Sequence, residues 1–186
     1  MLTGEYKMNK QVLVLSASPR KGGNSDTLCD EFVRGAIAAG NQAEKIFLRD
    51  QAIHYCTGCG VCYSTHKCVQ KDDMDEILQK MIKADVIVMA TPVYFYTMNA
   101  QMKTLIDRTV PRYLEISNKD FYFLVTAADP DESSLERTIN GLRGFTEDCL
   151  DNAKEKGIIY AAGVWQVGEI QSSPAMKKAY ETGRNV

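Results

Sequence analysis

A chain of 186 residues, 45% hydrophobic and 25% charged, has the length and composition of one folded domain, which excludes wholesale disorder. Its 22 basic and 24 acidic side chains leave a net charge of −2, so there is no overall basic field to attract nucleic acid or an anionic membrane. The unusual feature is the six cysteines, four of which fall within the single stretch CTGCGVCYSTHKC.

The N-terminal MLTGEYKMNKQ lacks the apolar run of a secretory signal, and Met8 is a candidate alternative start just ahead of the first strand. Apolar runs such as VIVMA at 86–90 fall far short of the ~18 residues that a membrane span needs. The expected location is the cytoplasm. Disulfides are rare there, and a cysteine cluster reads as metal-binding or redox-active.

In chain order, QVLVLS at 11–16 is a buried strand followed by the polar loop ASPRKGGN. Asn24 or Ser25 caps a helix with Leu28, Phe32, Ala36 and Ala39 at helical spacing, and Gly40 and Asn41 end it. AEKIFL at 43–48 is a second strand, and a cysteine-rich loop fills roughly 50–70. Asp72 opens a helix that buries Ile77, Leu78, Met81 and Ile82. VIVMAT at 86–91 is the third strand, and the loop PVYFYT leads to a helix near 98–108. FYFLVT at 121–126 is the fourth strand. After the turn DPDE, Ser133 and Glu136 form a capping box for a long helix reaching about Lys156. IIYAAGV at 158–164 is the fifth strand. Ser173 as N-cap and Pro174 at the first helical position open the last helix, which Gly183 ends.

Strands alternating with helices imply an α/β fold, a parallel sheet covered on both faces, in a single domain over 1–186. Ligands of such sheets sit outside the carboxyl ends of the strands. In the loop after strand 1, Gly22 and Gly23 turn the backbone. Ser18, Ser25 and Thr27 offer hydroxyls, Asn24 an amide and Arg20 a cation, beside a helix N-terminus. This is an anion site suited to a phosphate monoester, although a capped turn without ligand is the plainer alternative. The GxGxxG and GK[ST] patterns are absent, which favours a mononucleotide over NAD or ATP as the resident ligand.

SPRKGGNS in this position resembles the phosphate loop of the flavodoxin-like NAD(P)H-dependent FMN reductase superfamily. The likeness extends through TPVYFYTMNAQMKTLIDR and PAMKKAYETGRN. It implies a flavodoxin-like three-layer sandwich with a five-stranded sheet in the order 2-1-3-4-5. It also implies that Ser16, Ser18, Pro19, Arg20, Asn24, Ser25 and Thr27 hold the FMN phosphate. After strand 3, Pro92 stiffens a turn rich in flat side chains. The resemblance implies that Pro92, Val93, Tyr94, Phe95 and Tyr96, with Met98, hold the isoalloxazine ring; core or oligomer contacts are the alternative for each aromatic. Thr126, Ala127 and Ala128 occupy the third flavin-contacting position, where many relatives carry glycines.

The cysteine spacing is C-x2-C-x2-C-x5-C. Steps of three let one loop wrap a compact cluster, as in ferredoxin-type runs, whereas structural zinc takes two separated pairs. Gly58 and Gly60 give the loop backbone freedom. Followed by KDDM, the motif is similar to that of the iron–sulfur flavoproteins, a branch of the same superfamily. The resemblance implies that Cys56, Cys59, Cys62 and Cys68 carry a [4Fe–4S] cluster near FMN, with zinc or unmetallated thiols as alternatives. His54 and His66 read as solvated loop residues, and Cys29 and Cys149 as packing thiols in helices.

No Ser-His-Asp or Cys-His constellation emerges, which argues against a hydrolase. The expectation is an FMN-dependent oxidoreductase or electron-transfer flavoprotein, because the flavin carries the chemistry. The resemblance implies NAD(P)H or ferredoxin as donor and a quinone, flavin or protein as partner. It also implies a homodimer or homotetramer, whose contacts the 94–96 loop and Tyr113 would suit. One alternative is a flavin or quinone reductase with an idle cysteine loop. Another is a non-enzymatic flavin and thiol redox sensor.

Overall fold

The computed structural model describes residues 9–186. The reading of the N-terminal segment, Met8 included, lies outside the described residues. β1 (Gln11–Ser16) buries every residue after its first, the mark of a strand covered on both faces. It is followed by α1 (Asn24–Ala38), β2 (Gln42–Phe47), α2 (Cys62–Thr65), α3 (Met74–Lys83) and β3 (Val86–Tyr94). Then come β4 (Thr97–Met98), α4 (Ala100–Asp107), β5 (Asp120–Thr126), α5 (Glu136–Cys149), β6 (Lys154–Ala161) and α6 (Pro174–Arg184).

The parallel sheet runs β2-β1-β3-β5-β6, and β4 pairs antiparallel with β3. Once that two-residue strand is set aside, the order is the expected 2-1-3-4-5. Alternate residues of each strand point to opposite faces and build two cores. Leu15, Met89 and Phe123 pack with α3, α4 and α5. Val14, Val88 and Leu124 pack with α1 and α6. α1 and α6 cross closely: a Cβ on Gly35 would overlap the Tyr180 carbonyl oxygen, and one on Gly183 the Phe32 carbonyl oxygen.

Several boundaries differ from the sequence reading. β3 continues through Pro92 to Tyr94 and turns back on itself, pairing Val93 with Met98 and Tyr94 with Thr97. The segment after residue 91 is therefore a hairpin rather than a loop. Gly23, not Asn24 or Ser25, stands at the N-cap of α1; at α3 the N-cap position is Asp73, and the Asp72 side chain accepts from the Met74 N–H at 3.2 Å. Ahead of α5, the Asp131 side chain accepts from the Ser133 N–H, so the expected Ser133–Glu136 box does not form. α5 stops at Cys149, and Asn152 turns left-handed at φ 54°. The last strand therefore begins at Lys154, where a longer helix was expected. At α6, Ser173 accepts from the Ala175 N–H with Pro174 in the first turn, as read from the sequence. Cys29 is fully enclosed, and burial pushes its thiol up to about 12. Cys149 is exposed rather than packed.

Candidate functional site

The loop between β1 and α1 is folded by its own polar groups. The Ser18 Oγ donates to the Arg20 carbonyl at 2.8 Å, and the Gly23 N–H donates to the same oxygen at 2.9 Å. A Cβ on Gly23 would sit 2.8 Å from the Ser18 Oγ and 2.9 Å from the Arg20 oxygen, so only glycine closes this turn. Beneath it, Asp26 in the first turn of α1 accepts from the Gly22 N–H at 3.0 Å and the Ser16 Oγ at 3.2 Å. Lys45 reaches from β2 to Asp26 at 2.8 Å and to Asp30 at 2.5 Å. Burial works against the Lys45 charge, but the two carboxylates outweigh it and hold the ammonium above its ordinary value. The pairing also offsets a carboxylate that would otherwise oppose an anion at this helix N-terminus.

A cavity of about 460 Å³ opens above this loop, within the usual size range for small-molecule sites. Ser18, Pro19, Arg20, Asn24 and Ser25 form one wall. Pro92, Val93, Tyr94 and Phe95 form a second, and Thr126, Ala127 and Ala128 a third. The carboxyl ends of β1, β3 and β5 thus converge, and a 2.7 Å hydrogen bond between the Ser25 and Thr126 hydroxyls ties two of the walls together. Phe95 and Tyr96 are the two central residues of the β3–β4 turn, both left-handed at φ 49° and 64°. Asn-Gly pairs favour that geometry, and bulky side chains pay a steric cost in it.

Four residues of the sequence reading do not line this cavity. Ser16 is buried and donates to Asp26 beneath the loop. The Thr27 hydroxyl donates to the Gly22 carbonyl at 3.3 Å. Met98 is a core residue, because the antiparallel pairing turns it inward. Tyr96 lies under the Arg137 guanidinium, 5.5 Å from its ring centre. Two lining residues were missed, Val164 and Trp165, which follow β6. The Arg20 Nη2 donates to the Trp165 carbonyl at 3.2 Å, and the Asn24 Nδ2 to the Gln166 carbonyl at 3.0 Å. The only local signal was an exposed tryptophan just past a strand end, and its contact partners lie about 140 residues away in sequence.

A second cavity, of about 180 Å³, lies where the loop after β2 folds against the end of α4. Cys56, Cys59, Cys62 and Cys68 all line it, together with Arg108 and Pro111. The four thiols are free, and Gly58, Gly60 and His66 take left-handed backbone angles that wrap the loop around them. Among the described residues, no group of three or more His, Cys, Asp or Glu side chains is placed to hold a metal ion. A lone ion needs its ligands drawn around one point, whereas a polynuclear cluster spreads them around its own body. Four free thiols around one cavity therefore fit a cluster in donor chemistry. The His54 ring is exposed and lies 3.2 Å from Asp72, and neither histidine lines the cysteine cavity.

Arg108 was not singled out from sequence. It is 2% exposed, and its two terminal nitrogens donate to the two Asp72 oxygens at 2.7 and 2.9 Å. Burial works against the Asp72 charge. The Arg108 hydrogen bonds, with the His54 and Met74 backbone N–H groups, overcome this and hold the carboxyl well below the usual carboxylate range.

The sequence profile described as NADPH-dependent FMN reductase matches residues 11–143, and the chain belongs to that family. An iron–sulfur flavoprotein of Archaeoglobus fulgidus is 43% identical over 94 residues, 50% of this chain and 43% of that protein. An iron–sulfur flavoprotein of Methanosarcina thermophila is 40% identical over 96 residues, 52% of this chain and 50% of that protein. The chain thus spans about half the length of the curated relatives it matches. Among solved structures, an NAD(P)H:quinone oxidoreductase from Methanothermobacter marburgensis superposes with a TM-score of 0.75 at 16% identity. That alignment covers 95% of this chain and 96% of the other, and the likeness is one of fold. No helix among the described residues is long and apolar enough to cross a membrane.

Proposed function

We propose that the chain is an FMN-dependent oxidoreductase of iron–sulfur flavoprotein type, read as a single FMN-binding domain over 1–186. The observation that carries this is the cavity at the carboxyl edge of the sheet. It joins a hydroxyl-, amide- and arginine-bearing loop at a helix N-terminus to an apolar, aromatic hairpin. A phosphate monoester suits the first wall and a flat ring with a hydrogen-bonding edge the others. When bound, FMN would supply hydride and single-electron chemistry.

The protein's part is to hold and orient. Ser18, Arg20, Asn24 and Ser25 would bind the phosphate end. Pro92 to Phe95, with Thr126 to Ala128, would bound the ring, and Trp165 would cover the remaining side. Cys56, Cys59, Cys62 and Cys68 would hold a [4Fe–4S] cluster, whose contribution would be one electron at a time. Their shared cavity and the names of the iron–sulfur flavoprotein relatives support this. The donor is NAD(P)H or ferredoxin, the acceptor a quinone, flavin or redox protein, and the location cytoplasmic. A homodimer or homotetramer would cover the fully exposed Phe95.

Anaerobic purification tests the reading. The expected result is a flavin spectrum overlaid by a broad brown absorbance, with about four irons per chain. Flavin with nicotinamide oxidation but no iron would reduce the cysteine loop to a structural role. Flavin without turnover by any donor would favour a sensor. A colourless protein that takes up no added FMN would overturn the proposal.

A further inference from the structure

The cysteine loop begins and ends on one guanidinium. The Arg108 Nη1 donates to the His54 carbonyl at 2.5 Å, at the start of the loop. Its Nη2 approaches the Cys68 Sγ at 3.4 Å, at the end of the loop. The same two nitrogens grip Asp72, which also accepts from the His54 backbone N–H at 3.0 Å. Arg108 is therefore a clamp across the loop, and Asp72 fixes the plane of its fork. The Nε is buried and has no hydrogen-bond partner. A neighbouring cavity of about 250 Å³ is also lined by Arg108, Asp72 and Cys68, so Arg108 and Cys68 form part of the wall between the two spaces.

A buried ion pair is poor evidence of stabilisation by itself, since an apolar pair of similar volume often does as well. What an apolar pair could not do is present an N–H and a positive charge to a sulfur. Sulfur ligands of a metal site carry negative charge, and groups that donate to them orient the ligands and set the potential.

We propose that Arg108 is the positioning residue of the cysteine pocket, holding the Cys68 sulfur and giving the four-cysteine site a buried positive neighbour that favours its reduced state. This rests on the reading that the four cysteines hold an iron–sulfur cluster. The Arg108 charge opposes part of the negative charge gained on reduction. Its removal therefore lowers the reduction potential, and release of the Cys68 end loosens the metal.

The test uses the full chain, reconstituted anaerobically with iron and sulfide. The double variant Arg108→Gln with Asp72→Asn removes both charges and so strands neither. It is expected to fold and to bind FMN like the wild type, to lose iron to a chelator ~10-fold faster, and to show a more negative cluster potential. Arg108 lines the cysteine cavity and meets the Cys68 sulfur whereas Asp72 does not line it, so loss of the nearer cation outweighs loss of the anion. Arg108→Lys keeps the charge without the fork, and is expected to recover much of the potential while still losing iron faster. Wild-type iron retention and potential in either variant, with the wild type loaded, would overturn the role of Arg108 alone. A wild-type chain that takes up flavin but no iron would overturn the cluster reading, and this role with it.

Discussion

At the carboxyl edge of the sheet, the cavity of about 460 Å³ takes its walls from the ends of β1, β3 and β5 and from the connection after β6. Its polar side chains are tied both within the loop, Ser18 to Arg20, and across the sheet edge, Ser25 to Thr126. The cysteine pocket has no strand behind it. Its loop contains a single helical turn, Cys62–Thr65, and is closed by one buried arginine reaching from the end of α4. The first site follows from topology and tolerates changes spread among many contributors. The second concentrates its organisation in Arg108 and Asp72, so one substitution there should do more harm than truncation of any single side chain around the first cavity.

Arg108→Leu is the sharpest way to break this contrast. It leaves Asp72 ionised and buried without its partner, at an expected cost of about 3–5 kcal/mol in a urea or thermal unfolding experiment. A loss below ~1 kcal/mol would show that the loop is held by something else. At the first cavity, Ser18→Ala with Arg20→Ala should leave unfolding nearly unchanged and weaken FMN about 10- to 100-fold by titration, taking ~1.5–3 kcal/mol per hydrogen bond to a charged group with partial replacement by water. Riboflavin, which lacks the phosphate, should be affected far less. Equal losses for both ligands would move the phosphate elsewhere.

Acid separates the two regions as well. The Asp72 carboxyl in the folded state lies well below its ordinary value, so its ionised form adds stability above the unfolded-state value near ~3.9. That stability is lost as the pH falls below about 4 toward the folded-state value. Asp72→Asn should therefore be less stable than wild type at neutral pH and flatten the acid limb of the stability curve. An acid limb of unchanged slope would mean that other carboxylates dominate it. The smallest effect is expected at the hairpin. Phe95→Asn with Tyr96→Gly relieves two left-handed bulky residues and should raise stability by ~1–2 kcal/mol, while weakening FMN binding through loss of the Phe95 ring. Greater stability with unaltered FMN affinity would remove Phe95 from the site.

The contrast also explains what was legible in the sequence. Continuous apolar runs such as QVLVLS and VIVMA gave the central strands, because burial on both faces leaves no other pattern. β6 was legible only in its second half. Its opening residues, KEKG, are partly exposed and read equally well as the end of a helix. The hairpin turn was hidden because Phe-Tyr is not a turn pair, and its left-handed angles are imposed by the β3–β4 pairing. Cysteine spacing marked the second pocket. Arg108 left no local trace, since a buried arginine looks like any helix-end cation until Asp72 and Cys68 are brought to it through the fold. Met98 and Thr27 show the converse: residues within a motif whose side chains the local geometry turns away from the cavity.

The match to the reductase family ends at residue 143, yet Val164 and Trp165 supply the last wall of the cavity, and Arg20 and Asn24 are pinned to that wall. The residues proposed to grip and to cover the cofactor thus lie on separate stretches of chain. On the proposed function, exchange of the short connection after β6 would change what can stack beside a bound flavin and would also release the Arg20 and Asn24 side chains from their carbonyl partners, so a change of cover is felt in the grip.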